Sequence, residues 1–138
     1  MKTTIQRIED KTNAGNTTYT VSVPAGCAWR RLLVECKLVT DVTVANRSLV
    51  VQLLDEPSGD LLFPTRVGPA QAASQTRHYV FGEGLTEDVA FVDTDKFRGM
   101  FPTNLVLPAG ATVSVSVTNG VAGDNFEVRV IAEEESVA

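Results

Sequence analysis

The sequence predicts an all-β fold, a jelly-roll β-sandwich of about eight antiparallel strands preceded by an N-terminal arm. Three observations predict it. Val and Thr together supply 35 of the 138 residues, and such β-branched enrichment suits pleated, half-buried strands. Apolar residues recur at every second position and hardly anywhere at the i, i+3, i+4 spacing of an amphipathic helix. Turn residues punctuate these runs at short intervals, the pattern of a sandwich or barrel and not of βαβ units.

The elements follow in order. In residues 1–16, Ile5 and Ile8 are spaced among Gln6, Arg7, Glu9 and Lys11 without strict alternation, so this stretch reads as an arm and residues 17–138 as the jelly-roll domain. Tyr19, Val21 and Val23 alternate with Thr20 and Ser22 and meet Pro24-Ala25-Gly26, giving a short strand closed by a turn. Trp29 to Thr40 is a long strand with Leu32, Val34, Cys36 and Leu38 on one face and a mixed set, Arg31, Leu33, Glu35, Lys37 and Val39, on the other. Arg47 to Asp55 is a third strand, with Leu49, Val51 and Leu53 on one side. A turn at Glu56-Pro57-Ser58-Gly59-Asp60 precedes a short strand at Leu61-Leu62-Phe63, and Arg77 to Phe81 is the next. Gly82 to Gly99 reads as the longest irregular connection, with Phe91 and Phe97 set among glycines and acids. Strands at Leu105–Leu107, Ala111–Thr118 and Asn125–Ala132 complete the set.

Two internal matches narrow the fold. Val23-Pro24-Ala25-Gly26 is echoed by Leu107-Pro108-Ala109-Gly110 at an offset of 84, and Leu49, Val51 and Leu53 align with Phe126, Val128 and Val130 at an offset of 77. Two Greek keys in tandem, folded into facing sheets, make a jelly roll. The alternative is a chance recurrence of Pro-Ala-Gly turns.

Composition limits the function. At 14.8 kDa with a mean hydropathy of +0.04, the chain is sized for one domain, and no apolar run approaches the roughly 20 residues of a spanning helix. The start, MKTTIQRIEDKT, is charged from its second residue, so no secretory signal is expected. A net charge of -5 and a pI near 4.8 disfavour nucleic acid as a partner. Cys27 and Cys36 lie nine residues apart, a span of roughly 30 Å when extended, so two free thiols are expected.

Catalytic constellations are sparse. His78 is the single histidine, and no nucleophile elbow accompanies it. One histidine and no clustered thiols provide too few ligands for zinc. Asp93-Thr94-Asp95 begins no EF-hand, because Arg98 stands where that loop needs glycine and Asn104 where it needs glutamate. A looser calcium site and a solvated acidic loop both stay open there. Glu133-Glu134-Glu135 reads as a solubilising exit from the last strand. No cofactor, no metal and no enzymatic activity are expected.

Contact surface is the remaining chemistry. Phe91, Phe97, Met100 and Phe101 lie in or beside the long connection, where they either fold back over one end of the sandwich or dock on another subunit with Arg98 as polar anchor. The arm adds Ile5, Arg7 and Ile8.

The run Val21-Ser22-Val23-Pro24-Ala25-Gly26-Cys27-Ala28-Trp29-Arg30-Arg31-Leu32-Leu33, then Ala45-Asn46-Arg47-Ser48-Leu49-Val50-Val51-Gln52, Gln71-Ala72-Ala73-Ser74 and Asn104-Leu105-Val106-Leu107-Pro108-Ala109-Gly110 resemble small structural proteins of tailed bacteriophages. Over residues 17–132 the chain looks like the jelly-roll cement, or decoration, proteins of podovirus-like phages, cyanophages included. The resemblance implies a virion protein on the outer capsid surface, made in the host cytoplasm, that assembles as homotrimers and reinforces joints between major capsid protein subunits. It carries no catalytic residues. A second reading takes the chain as a carbohydrate- or receptor-binding jelly roll of a phage fibre or spike, and a third as a cupin-like enzyme, which lacks the histidine cluster it needs.

Overall fold

The computed structural model describes residues 4–56, 59–92 and 95–137. Among these residues are ten strands: β1 (Thr4–Ala14), β2 (Tyr19–Ser22), β3 (Cys27–Val39), β4 (Ser48–Leu54), β5 (Leu61–Val67), β6 (Thr76–Glu83), β7 (Lys96–Phe101), β8 (Val106–Leu107), β9 (Thr112–Thr118) and β10 (Asn125–Ser136). One sheet runs β1-β10-β3-β6-β7, with β8 beside the start of β3, and the other runs β2-β9-β4-β5. Setting aside β7 and β8, this is the strand order of a jelly roll, in which the first strand pairs the last and successive strands alternate between facing sheets except at the β4–β5 hairpin, which stays within one sheet.

Inward alternation builds the core. Leu49, Val51 and Leu53 of β4 lie opposite Val117, Val115 and Val113 of β9. Facing them are Leu32, Val34, Cys36 and Leu38 of β3 and Phe126, Val128 and Val130 of β10, all in one buried cluster. Each such side chain contributes about 1.5–3 kcal/mol relative to exposure. Both cysteines are free, and burial raises the Cys36 thiol far above its ordinary value, which keeps it protonated and inert.

The two Pro-Ala-Gly turns sit side by side. Each crosses from one sheet to the other: Gly26 and Gly110 adopt φ of 75° and 87°, and Val23 and Ala111 bridge the turns through the Val23 N–H donating to the Ala111 carbonyl. The Gly110 N–H donates in turn to Val23. Left-handed backbone at these positions is what glycine supplies.

A bulge sets the face of Trp29. The β3–β10 register shifts between Ile131 and Glu133, and Arg31 opposite the shift has φ of 50°. The extra residue brings Trp29 to the same inner face as Leu32, where its indole N–H donates to the buried carboxylate of Glu134 at 3.0 Å. The acidic triplet is thus the end of β10 and not an exit from it. Glu133 accepts from Arg31 at 2.6 Å and Glu135 from Arg30 at 2.9 Å.

Three further sequence expectations change. The segment read as an arm is, from Thr4 to Ala14, an integral strand paired with β10 from Thr4 opposite Glu135 to Ala14 opposite Asn125. The connection read as irregular from Gly82 to Gly99 holds the end of β6 and the first four residues of β7. And β7 joins β6 in parallel, so the sheets are not wholly antiparallel.

Candidate docking surface

The residues singled out for contact scatter over three environments. On β1, Ile5 stands opposite Glu134 in register, and its side chain lies outside the described residues. Arg7 is half-buried, donates to Glu9 through Nε and Nη2, and lies 3.6 Å from Glu134. Ile8 points the other way and is 58% exposed.

Phe97 is corrected outright. It is only 5% exposed, with ring centroids 6.0 Å from Tyr79 and 5.8 Å from Phe81. The cause is the alternation of β7, which turns Phe97, Gly99 and Phe101 inward and Lys96, Arg98 and Met100 outward. Phe91 is half-buried edge-on to Tyr79 at 5.6 Å, with the Arg77 guanidinium 4.9 Å above its ring. Met100 is 39% exposed, and Arg98 donates from its side chain and backbone to Asp88, which holds that carboxyl below its ordinary value.

Accordingly Phe97→Ala is expected to destabilise the fold by about 3–5 kcal/mol. Arg98→Ala should cost far less, because the guanidinium side of its ion pair with Asp88 is half-exposed. Urea denaturation of both variants checks the contrast.

The outward side chains of the larger sheet form rows. One is apolar: Ile8, Ile131, Leu33 and Met100 cross β1, β10, β3 and β7, with Gly82 of β6 between the last two. The next row alternates charge, with Arg129 of β10 3.4 Å from Asp10 and 3.9 Å from Glu35. A third row places Glu127, Lys37, His78 and Lys96 side by side. The two charged rows floor an open groove of about 700 Å³, with Asp10 at the β1 side and Asp88 and Val92 from the β6–β7 connection at the other.

At the end of the sandwich away from the Pro-Ala-Gly turns lies a polar cluster that sequence reasoning missed. Arg47 is 0% exposed and uses every donor of its guanidinium. Nε and Nη2 bind the buried Asp124 carboxylate at 3.0 and 3.1 Å, Nη2 also binds Asp41 at 2.9 Å, and Nη1 donates to the carbonyls of Thr43 and Ala45, both at 2.8 Å. Asp124 further accepts the N–H groups of Asp41 and Val121. Burial pushes the Asp124 carboxyl up, but these hydrogen bonds outweigh it and hold the group below its ordinary value. The Arg47 backbone pairs with Gln71, whose amide is anchored in turn by Leu38, Gln75 and the Tyr79 hydroxyl.

What this cluster clamps is loop 40–46, and that loop carries Val42 and Val44 at 82% and 94% exposure. Asp41 adds an Asx turn, accepting from the Thr43 N–H at 2.9 Å. Two valines are therefore held in solvent on backbone fixed from within. Their one sequence signal is an apolar alternation that continues past Thr40, where the strand has ended.

Among the described residues no group of three or more His, Cys, Asp or Glu side chains could hold a metal ion. Asp93 and Thr94, part of the acidic loop considered for calcium, lie outside the described residues. No helix of the described residues is long and apolar enough to cross a membrane.

No protein-family model matches the chain, and no curated protein matches it either. Among solved structures, it is similar to a chain described as the structure of infectious bursal disease virus Gx strain, at 11% identity and a TM-score of 0.31. That similarity covers 99% of this chain, which spans 40% of the other.

Proposed function

We propose that this protein is a virion structural protein of a tailed phage that binds the outside of the icosahedral capsid and cements major capsid protein subunits as a homotrimer. The observation that carries the reading is the clamped loop with Val42 and Val44 in solvent. A buried arginine with all its donors filled serves here to fix backbone, and fixing an exposed apolar loop before contact lowers the entropic cost of docking on a preformed protein socket. The jelly-roll core and the sequence resemblance to cement proteins support the same reading.

Mass action makes such docking protective. A protein that binds the closed lattice and not free subunits adds its binding free energy to the shell, and many copies add avidity. Docking by stacking neutral sugars on rings fits less well, since Trp29, Tyr19 and Tyr79 are all buried.

The test is Val42→Asp with Val44→Asp, a pair of exposed positions that should leave folding intact. The expected result is a thermal midpoint like the unmodified chain and loss of most binding to heads of a podovirus-like phage stripped of decoration protein. Light scattering should return three times the 14.8 kDa chain mass. Undiminished binding by the double variant would place the docking face elsewhere.

A further inference from the structure

The groove on the larger sheet holds chemistry that capsid docking by loop 40–46 does not use. Lys37, His78 and Lys96 are register neighbours across β3, β6 and β7, so their Cα atoms span only about 10 Å. Among the described residues, the arginines are ion-paired or stacked on a ring, whereas no ion pair engages these three side chains. In a chain of net charge -5, two lysines flanking a histidine make a local concentration of positive charge and N–H donors. It lies on the floor of the open groove, beside the carboxylates of Glu127, Glu35 and Asp10.

We propose that this groove is a binding site for an acidic sugar, a hexuronate segment whose carboxylate sits on Lys37, His78 and Lys96. The mixed lining selects this class. The cationic strip attracts an oxyanion, while the neighbouring carboxylates are acceptors that sugar hydroxyls can satisfy and that would repel a run of acidic peptide side chains. A groove of about 700 Å³ is in the range of small-ligand sites. Recognition here is by charge and hydrogen bonds, which agrees with the absence of exposed Trp and Tyr rings among the described residues.

His78 is the single histidine of the chain, so its ring resonances report on the groove without ambiguity. Titration of the full chain with trigalacturonate is expected to shift those resonances saturably, with affinity falling as salt rises. Lys37→Ala with Lys96→Ala should weaken binding about tenfold or more, Lys37→Arg with Lys96→Arg should retain it, and the methyl-esterified trimer should bind at least about tenfold more weakly. Unchanged thermal unfolding of the alanine pair shows that the fold is intact. The proposal is overturned by equal binding of the ester, or by indifference to the alanine pair. It also fails if inorganic sulfate or polyglutamate gives the same shift at the same concentration, which would mark an adventitious anion site or an acidic-peptide site.

Discussion

Arg47→Ala is expected to lower the unfolding free energy by about 3–5 kcal/mol, a third or more of what a domain ordinarily has at the middle of the roughly 5–15 kcal/mol range and most of it at the low end. Removing the guanidinium strands the Asp124 carboxylate, which is fully buried, and releases the carbonyls of Thr43 and Ala45. The loss should depend on pH. In the unmodified chain the folded-state Asp124 value is depressed, so its contribution is fully present above the ordinary value of 3.8 and is lost as pH falls through the lower folded value. Without Arg47, burial is no longer outweighed in the same way, and the protonated form becomes the better tolerated one. The stability gap between the two chains should therefore narrow as pH falls toward 3.8. Urea unfolding of both chains across acid pH measures this, and a gap that stays constant would contradict the assignment.

Deleting residues 1–12 is expected to abolish folding. That truncation removes β1 up to Thr12 and leaves only Asn13 and Ala14 of its register with β10. It takes away most of an edge of backbone hydrogen bonds and the Arg7 partner of buried Glu134, and it uncovers the flank of Val128, Val130 and Ala132. The combined loss is comparable with the whole stability of a domain this size, about 5–15 kcal/mol. Circular dichroism and an amide correlation spectrum at room temperature decide it. A truncated chain with dispersed native resonances would show that β1 is dispensable, as the arm reading had it.

Why that arm reading failed is physical. β1 is an edge strand, and its charged side chains, Arg7, Glu9, Asp10 and Lys11, are the ones edges carry against unwanted pairing. A strand beyond the rim of the core has little apolar alternation to display. β7 alternates cleanly from Lys96 to Phe101, but Gly99 and the acidic residues before it resembled a loop; in the fold a Cβ at Gly99 would clash with the Phe81 ring, so the glycine serves packing. Parallel pairing with β6 has no local signature at all.

The central strands were legible for the opposite reason. β3, β4, β9 and β10 bury one full face each, so their period of two is explicit in the sequence. The Pro-Ala-Gly echo was a real guide, since both turns cross between sheets side by side. The other echo held more than it first offered. The offset of 77 that aligns Leu49 with Phe126 also aligns Arg47 with Asp124, and these two form the buried ion pair. Opposite charges at matched positions do not announce contact until the topology brings the two strand starts to one end. Exposed Val42 and Val44 were hidden for a related reason, because only the Arg47 clamp distinguishes a fixed loop from a frayed one.

The claim that this jelly roll cements a capsid is tested most directly by adding the purified chain to heads of a podovirus-like phage lacking their decoration protein, then sedimenting and heating them. The account predicts saturable co-sedimentation and release of packaged DNA only at a higher temperature than for bare heads. A chain that stays in the supernatant at all concentrations, or that pellets with heads without raising that temperature, would contradict it.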